Sequence, residues 1–174
     1  DRSKLLQSYA NQAMPAKQLF KQMIQTGAMR ASACLNFIRR DLLVKNGLNF
    51  EEGLIHEDEL FTPQLYALAN TMMYIPRIFF HRRVRPGSIM TSVKIEKTLE
   101  SLCHIISELC AFAISHFGVR WVIYLRCYEL AVHANNLKKD YIKQQLPLCW
   151  KRISRCHKWF NYCSWNERKR KNFR

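Results

Sequence analysis

Apolar residues recur at intervals of three and four along most of the chain, and that rhythm predicts helices. Leu19, Phe20, Met23 and Ile24 share one side of a short helix from Pro15 to Gly27, with proline at its first turn and glycine at its stop. Ala31 to Ile38 is short and mainly apolar, and fits either a strand or a helix entrance. The run RRDLLVKNG predicts one more brief helix closed by Asn46-Gly47. In HEDELFTPQLYALAN, Phe61, Leu65, Leu68 and Ala69 repeat at helical spacing. Proline is tolerated only near a first turn, so Pro63 implies that the regular helix begins near Glu59 or Leu60. Thr71 to Phe80 is rich in β-formers and breaks at Pro76, which predicts an edge strand or two short strands.

Beyond Arg85-Pro86-Gly87-Ser88 the pattern becomes wholly helical. Ile95, Leu99, Leu102, Ile106, Leu109 and Ala113 alternate by four and three, the mark of a helix that buries one stripe and ends by Gly118. A second helix is expected from about Val119 to Leu137. A third should run from about Tyr141 to Trp165, interrupted or kinked at Pro147, with Leu146, Cys149, Ile153, Cys156, Phe160 and Cys163 on its stripe. The expected class is therefore α+β, mostly helical: a mixed first part, residues 1–93, and an all-helical extension, residues 94–174.

Composition narrows the class further. With 48% apolar residues, including ten Phe, seven Tyr and four Trp, the chain can build a core, and a disordered basic tail protein is excluded. The longest apolar stretch, Leu109 to Val119, is well short of the ~20 residues a bilayer requires, so no transmembrane helix is expected. No signal peptide opens the chain, and the start at Asp1 suggests that a part lies upstream. Without an export signal, seven cysteines read as thiols in a reducing compartment. Cys103 and Cys110 are seven apart, as are Cys149, Cys156 and Cys163; on a helix that is about 10 Å, beyond disulfide reach within either set. The spacing also argues against a zinc site, and small buried core residues are the reading these cysteines fit best.

Charge is concentrated at one end. The formal net charge is +15, and Lys138 to Arg174 holds twelve Lys and Arg against only Asp140 and Glu167. Because this stretch also carries Trp150, Trp159, Phe160, Tyr162 and Trp165, it has the composition of a surface that meets anionic lipid or nucleic acid. A solvated helix face gives the same composition.

Two clusters carry chemistry. Glu57, Asp58 and Glu59 stand at the start of a predicted helix, where acidic residues oppose the macrodipole and cap free N–H groups without any further role. Downstream lies HRRVRPGSI, His81 to Ile89, which alone reads as a solvated basic strand. Together they supply what transfer from a phosphate leaving group needs: a carboxylate to take the proton of an attacking hydroxyl, and arginines to stabilise the departing diphosphate.

The run ACLNFIRRDLLVKNGLNFEEGLIHEDELFTPQLYALANTMMYIPRIFFHRRVRPGSIMTS resembles the second half of the catalytic domain of family 2 glycosyltransferases, the GT-A type inverting enzymes of bacterial polysaccharide and capsule synthesis. The resemblance covers about residues 30 to 92. It implies that residues 1–93 are the C-terminal, acceptor-side part of a GT-A α/β domain. Asp58 then takes the place of the catalytic base and Glu57 that of its neighbour. Arg83, Arg85 and Ser88 fall on the Arg-x-Arg-x-x-Ser positions near donor diphosphate or acceptor, with His56 and His81 as further candidates. Arg82 stands where the family usually has Tyr. The family's opening strand and its metal-binding Asp-x-Asp are both missing from this chain. Magnesium or manganese is thus expected in a full-length enzyme, none in this fragment, which alone should be inactive.

The implied partners are a nucleotide-diphosphate sugar donor and a glycan or lipid-linked acceptor, with the basic tail at an anionic membrane surface and the protein cytoplasmic, peripheral on the inner face of the cell membrane. The alternative is a non-catalytic basic helical module that binds nucleic acid or a membrane surface. No recognised nucleic-acid motif supports it. A scaffolding piece has only the stripe from Ile95 to Ala113 behind it, and such a stripe is more often intramolecular core.

Overall fold

A computed structural model of the chain describes residues 7–81, 83 and 95–158. These are mostly helical, with a small two-stranded antiparallel sheet, as expected of a helical α+β protein. The chain divides into two compact units, Asp1–Ile105 and Ile106–Arg174, so the division falls inside a helix. The expected boundary near Met90 to Lys94 lies among residues outside those described, apart from its neighbourhood at Ile95.

In the first unit, strand β1 (Ala13–Pro15) leads directly into helix α1 (Ala16–Gln25), followed by a single 3-10 turn (Ala33–Leu35), α2 (Arg40–Asn46), α3 (Asp58–Leu68) and β2 (Thr71–Met73). β1 pairs with β2 in the register Ala13↔Met73, Met14↔Met72, Pro15↔Thr71. Pro15 ends the strand and stands at the cap of α1, where its missing N–H costs nothing. The region from Ala31 to Ile38 is neither of the expected forms beyond that one turn. Only the first three residues of Thr71 to Phe80 form a strand, with Tyr74 in an isolated bridge to Ala10; residues 77–81 have no regular element.

The core of this unit is the contact of α1 with α3. Leu19 and Phe20 are fully buried, each worth about 1.5–3 kcal/mol, and the Phe20 ring meets Tyr66 edge-on at 5.5 Å. α3 begins at Asp58 rather than at Glu59 or Leu60, which puts Pro63 in the second turn. Tertiary burial outweighs the bond that Pro63 forgoes: Leu60, Phe61, Thr62, Pro63, Leu65, Tyr66 and Ala67 are all buried. The Thr62 hydroxyl donates to the Ala31 carbonyl, and the Tyr66 hydroxyl to Asn36 Oδ1 at 2.8 Å. Burial pushes the Tyr66 phenol up to about 12, with the Asn36 bond acting in the opposite sense.

Helix α4 (Ile95–Ser115) carries the expected stripe: Leu99, Leu102, Ile106, Leu109 and Ala113 are buried, whereas Ile95 is exposed. Contrary to the expectation drawn from its longest apolar run, this helix is long and apolar enough, by length and composition alone, to cross a membrane. In the second unit α5 (Arg120–Leu137) is followed by α6 (Tyr141–Gln145) and a further helix, α7, over residues 147–158. The interruption falls at Leu146, and Pro147 opens α7, where a proline loses no helical bond. Ile123, Ile142 and Ile153 are fully buried. Tyr128 stacks on His157 at 3.7 Å and on Trp150 at 6.0 Å, and burial pulls the His157 imidazole down. Phe160, Cys163 and Trp165 lie outside the described residues.

The stop of α2 is Gly47, in the left-handed region at φ 60 and ψ 29, with nothing within 4 Å of where a Cβ would stand. Gly47→Ala should therefore lower stability by about 1 kcal/mol from backbone conformation alone, and Gly47→Asn by less. Urea denaturation of the two variants checks this; a loss above about 3 kcal/mol would mean that a packing contact was broken instead.

Candidate active site

The acidic cluster is held where a tight loop enters α3. Gly53 turns the chain at φ 76, and His56 takes a left-handed backbone at φ 64, a conformation costing about 1–2 kcal/mol in a residue with a Cβ. Glu57 caps the helix with its backbone, accepting from the N–H groups of Leu60 (3.2 Å) and Phe61 (3.0 Å), while its side chain makes no capping bond. Capping at this position is thus done by the Glu57 backbone and not by its carboxylate.

The approach to the loop is tied to α4. The Ile55 N–H meets Ser101 Oγ at 3.4 Å, and Glu51 pairs with His104 Nε2 at 2.7 Å, both partners half-exposed. Phe50 stacks on Phe61 at 4.2 Å. Ser101, which is buried, and His104, which is exposed, carry no mark in the sequence, because nothing local shows which polar residue of one helix meets a loop nearly fifty positions earlier.

His56, Glu57, Asp58 and Glu59 are all half-buried on this turn. Burial raises the Asp58 carboxyl above its usual 3.8, and the neighbouring Glu59 and Glu57 charges raise it further; His56 and the Glu59 N–H work the other way. A carboxylate with raised basicity, kept near solvent by half-exposure, is suited to accept a proton from a hydroxyl.

The basic candidates stand differently. Arg83 and His81 are exposed beyond β2. Arg85 and Ser88 lie outside the described residues, as does Arg82. Among the described residues, then, the loop brings together His56, Glu57 and Asp58, and no arginine joins them. No group of three or more His, Cys, Asp or Glu among the described residues could hold a metal ion. The chain matches no protein-family model, no curated protein and no solved structure.

A raised pKa has a stability consequence of known sign. Folded Asp58 holds its proton more tightly than the unfolded chain does, so its contribution is complete below about pH 3.8 and is lost as pH rises through the folded value. Asp58→Asn should accordingly be more stable than wild type at pH 7, with the difference closing below pH 3.8. Urea midpoints across that range check it; equal midpoints at pH 7 would show that the carboxylate is not held in an unfavourable environment.

Proposed function

We propose that this chain is the acceptor-side part of an inverting glycosyltransferase, of the GT-A type that its motifs resemble, acting in cell-surface polysaccharide synthesis. The observation that carries the reading is the strained turn before α3, which presents a half-buried Asp58 of raised basicity beside a Glu57 whose carboxylate makes no capping bond. In this reading Asp58 takes the proton from the acceptor hydroxyl as it attacks the anomeric carbon of a nucleotide-diphosphate sugar. Glu57 and His56 orient acceptor and base from the same turn. Arg83, Arg85 and Ser88 belong to the segment that meets the diphosphate or the acceptor. Donor and divalent metal are held by a part of the domain that this chain does not carry. The test is Asp58→Asn in the full-length protein: glycan transfer should fall by about 10² or more with donor affinity nearly unchanged. Transfer near the wild-type rate would remove Asp58 from the mechanism.

A second reading, that of a basic module at an anionic surface, draws on α7. Lys151, Arg155 and Lys158 recur at four and three along its exposed side, with Arg152 beside them, opposite the buried Ile153. Such a face is drawn to an anionic leaflet by about 1 kcal/mol per basic residue. This would place the protein on the inner face of the cell membrane, beside lipid-linked acceptors. Flotation with phosphatidylcholine vesicles, with and without phosphatidylserine, in excess duplex DNA separates the possibilities. Retention on the anionic vesicles that is lost on deleting residues 138–174 supports membrane attachment; binding to DNA with no retention on vesicles would replace it with nucleic-acid binding.

A further inference from the structure

Two short stretches of the first unit, distant in sequence, bring their most exposed apolar side chains together. The Phe37 ring meets the Phe79 ring edge-on, with centroids 6.4 Å apart and an angle of 83° between the planes. Phe37 is 96% exposed and Phe79 64%; Ile78 and Phe80, on either side of Phe79 in the chain, are 81% and 45% exposed. With about 150–250 Å² on each aromatic side chain, the four leave on the order of 500 Å² of apolar surface in water, toward the upper end of what a single soluble chain exposes in one patch.

The patch is fixed from behind. Asn36 Oδ1 accepts from the buried Tyr66 hydroxyl of α3 at 2.8 Å, and the Asn36 amide donates to the Ser32 carbonyl at 3.2 Å. The residue before Phe37 is thus tied to the core while Phe37 itself stands in water.

Charge decides among the occupants such a face could take. Arg77 immediately precedes Ile78, and Arg39 and Arg40 follow Phe37 by two and three positions; all three are exposed. Asp41 is the one carboxylate in either stretch, and Arg39 already engages it, Nε to Oδ1 at 3.1 Å and Nη2 to Oδ2 at 2.9 Å. Arg40 and Arg77 therefore set a cationic margin. A second copy of the chain on this face would bring like charge against like. The bases of a nucleic acid stack on open ring faces, but here the two neighbouring rings cross nearly at right angles and the highly exposed Ile78 has no ring. An anionic lipid surface meets both demands, because its acyl region takes Phe and Ile side chains and its headgroups take the guanidinium groups.

We propose that Phe37, Ile78, Phe79 and Phe80, with Arg40 and Arg77 at their margin, form a face of the first unit that inserts into the interface of an anionic membrane. This goes beyond both readings above, since its residues belong neither to the acidic turn nor to the basic side of α7. The arginine stems lie along the apolar surface while their charged ends stay at headgroup level, so insertion is shallow.

The test follows the environment of position 78. An environment-sensitive fluorescent residue replaces Ile78 in the full-length protein, and vesicles of phosphatidylcholine, with and without phosphatidylserine, carry a nitroxide quencher on the acyl chain. On the anionic vesicles the emission should shift to the blue and be quenched, and both effects should weaken with salt. Phe37→Ser together with Phe79→Ser should lower the partition of the labelled protein by about tenfold or more, and Arg40→Gln together with Arg77→Gln by about tenfold. Phe37→Trp keeps an interfacial ring and should keep the partition. Binding to vesicles with position 78 still in water would mean attachment through the basic tail alone; it would overturn the proposal and leave the second reading standing. Emission already blue before vesicles are added would mean that another part of the full-length protein covers this face, and would overturn it as well. So would a response to single-stranded DNA, or to polyglutamate as an acidic polypeptide, that anionic vesicles do not give.

Discussion

Burial of α3 on nearly every side is the constraint from which the first unit follows. A helix so enclosed must satisfy its polar groups locally. The Thr62 hydroxyl does so against the Ala31 carbonyl and the Tyr66 hydroxyl against Asn36, and those two bonds fix the chain between Ala31 and Asn36 beside the helix. The same enclosure admits Pro63 in the second turn, because packing of Leu60, Phe61 and Leu65 stabilises the helix by more than one missing backbone bond costs. At its N-terminal end Asp58 and Glu59 are both half-buried, as are Gln64 and Leu68 farther along. Asp58 is therefore neither dry nor free in water, and its basicity is set by where the helix core stops.

At that end two general effects oppose one another. A helix N-terminus favours a carboxylate, and a backbone N–H to Asp58 adds to that. Half-burial and two adjacent acidic neighbours disfavour the charge, and they win. An arrangement that costs stability at neutral pH, entered through a left-handed histidine, is the kind a fold keeps at a working site rather than in its scaffold.

How much of this could be read in advance depended on range. Period locates α1 and the buried stripe of α4, because each buries one face and its apolar residues say so; α2, which has no buried residue, is marked instead by its Asn46-Gly47 stop. Glu57 and Asp58 are visible as an acidic pair at a helix start. Their half-burial is not, since it depends on Phe50 against Phe61 and on α4 reaching the loop through Ser101 and His104. β1 escaped notice because Ala-Met-Pro has neither alternation nor β-branching, and its pairing is supplied by Thr71–Met73. The stretch after Pro76 deceived in the other direction. Its β-forming residues carry local propensity, but Ile78 and Phe79 are exposed and find no strand to pair with among the described residues; propensity without a ladder leaves an irregular segment whose Phe79 ring meets Phe37 edge-on.

The second unit shows the helical period working on chemistry as well as packing. Residues seven apart fall on one stripe, so Cys149 and Cys156 both turn toward the interior from α7, and Cys156 spends its thiol on the Trp121 carbonyl at 3.5 Å. A stripe is shared only where another helix meets it. Cys110 on α4 and Cys127 on α5 are buried as well, and burial pushes the Cys127 thiol well above its ordinary value, so these cysteines serve the unit as small core residues.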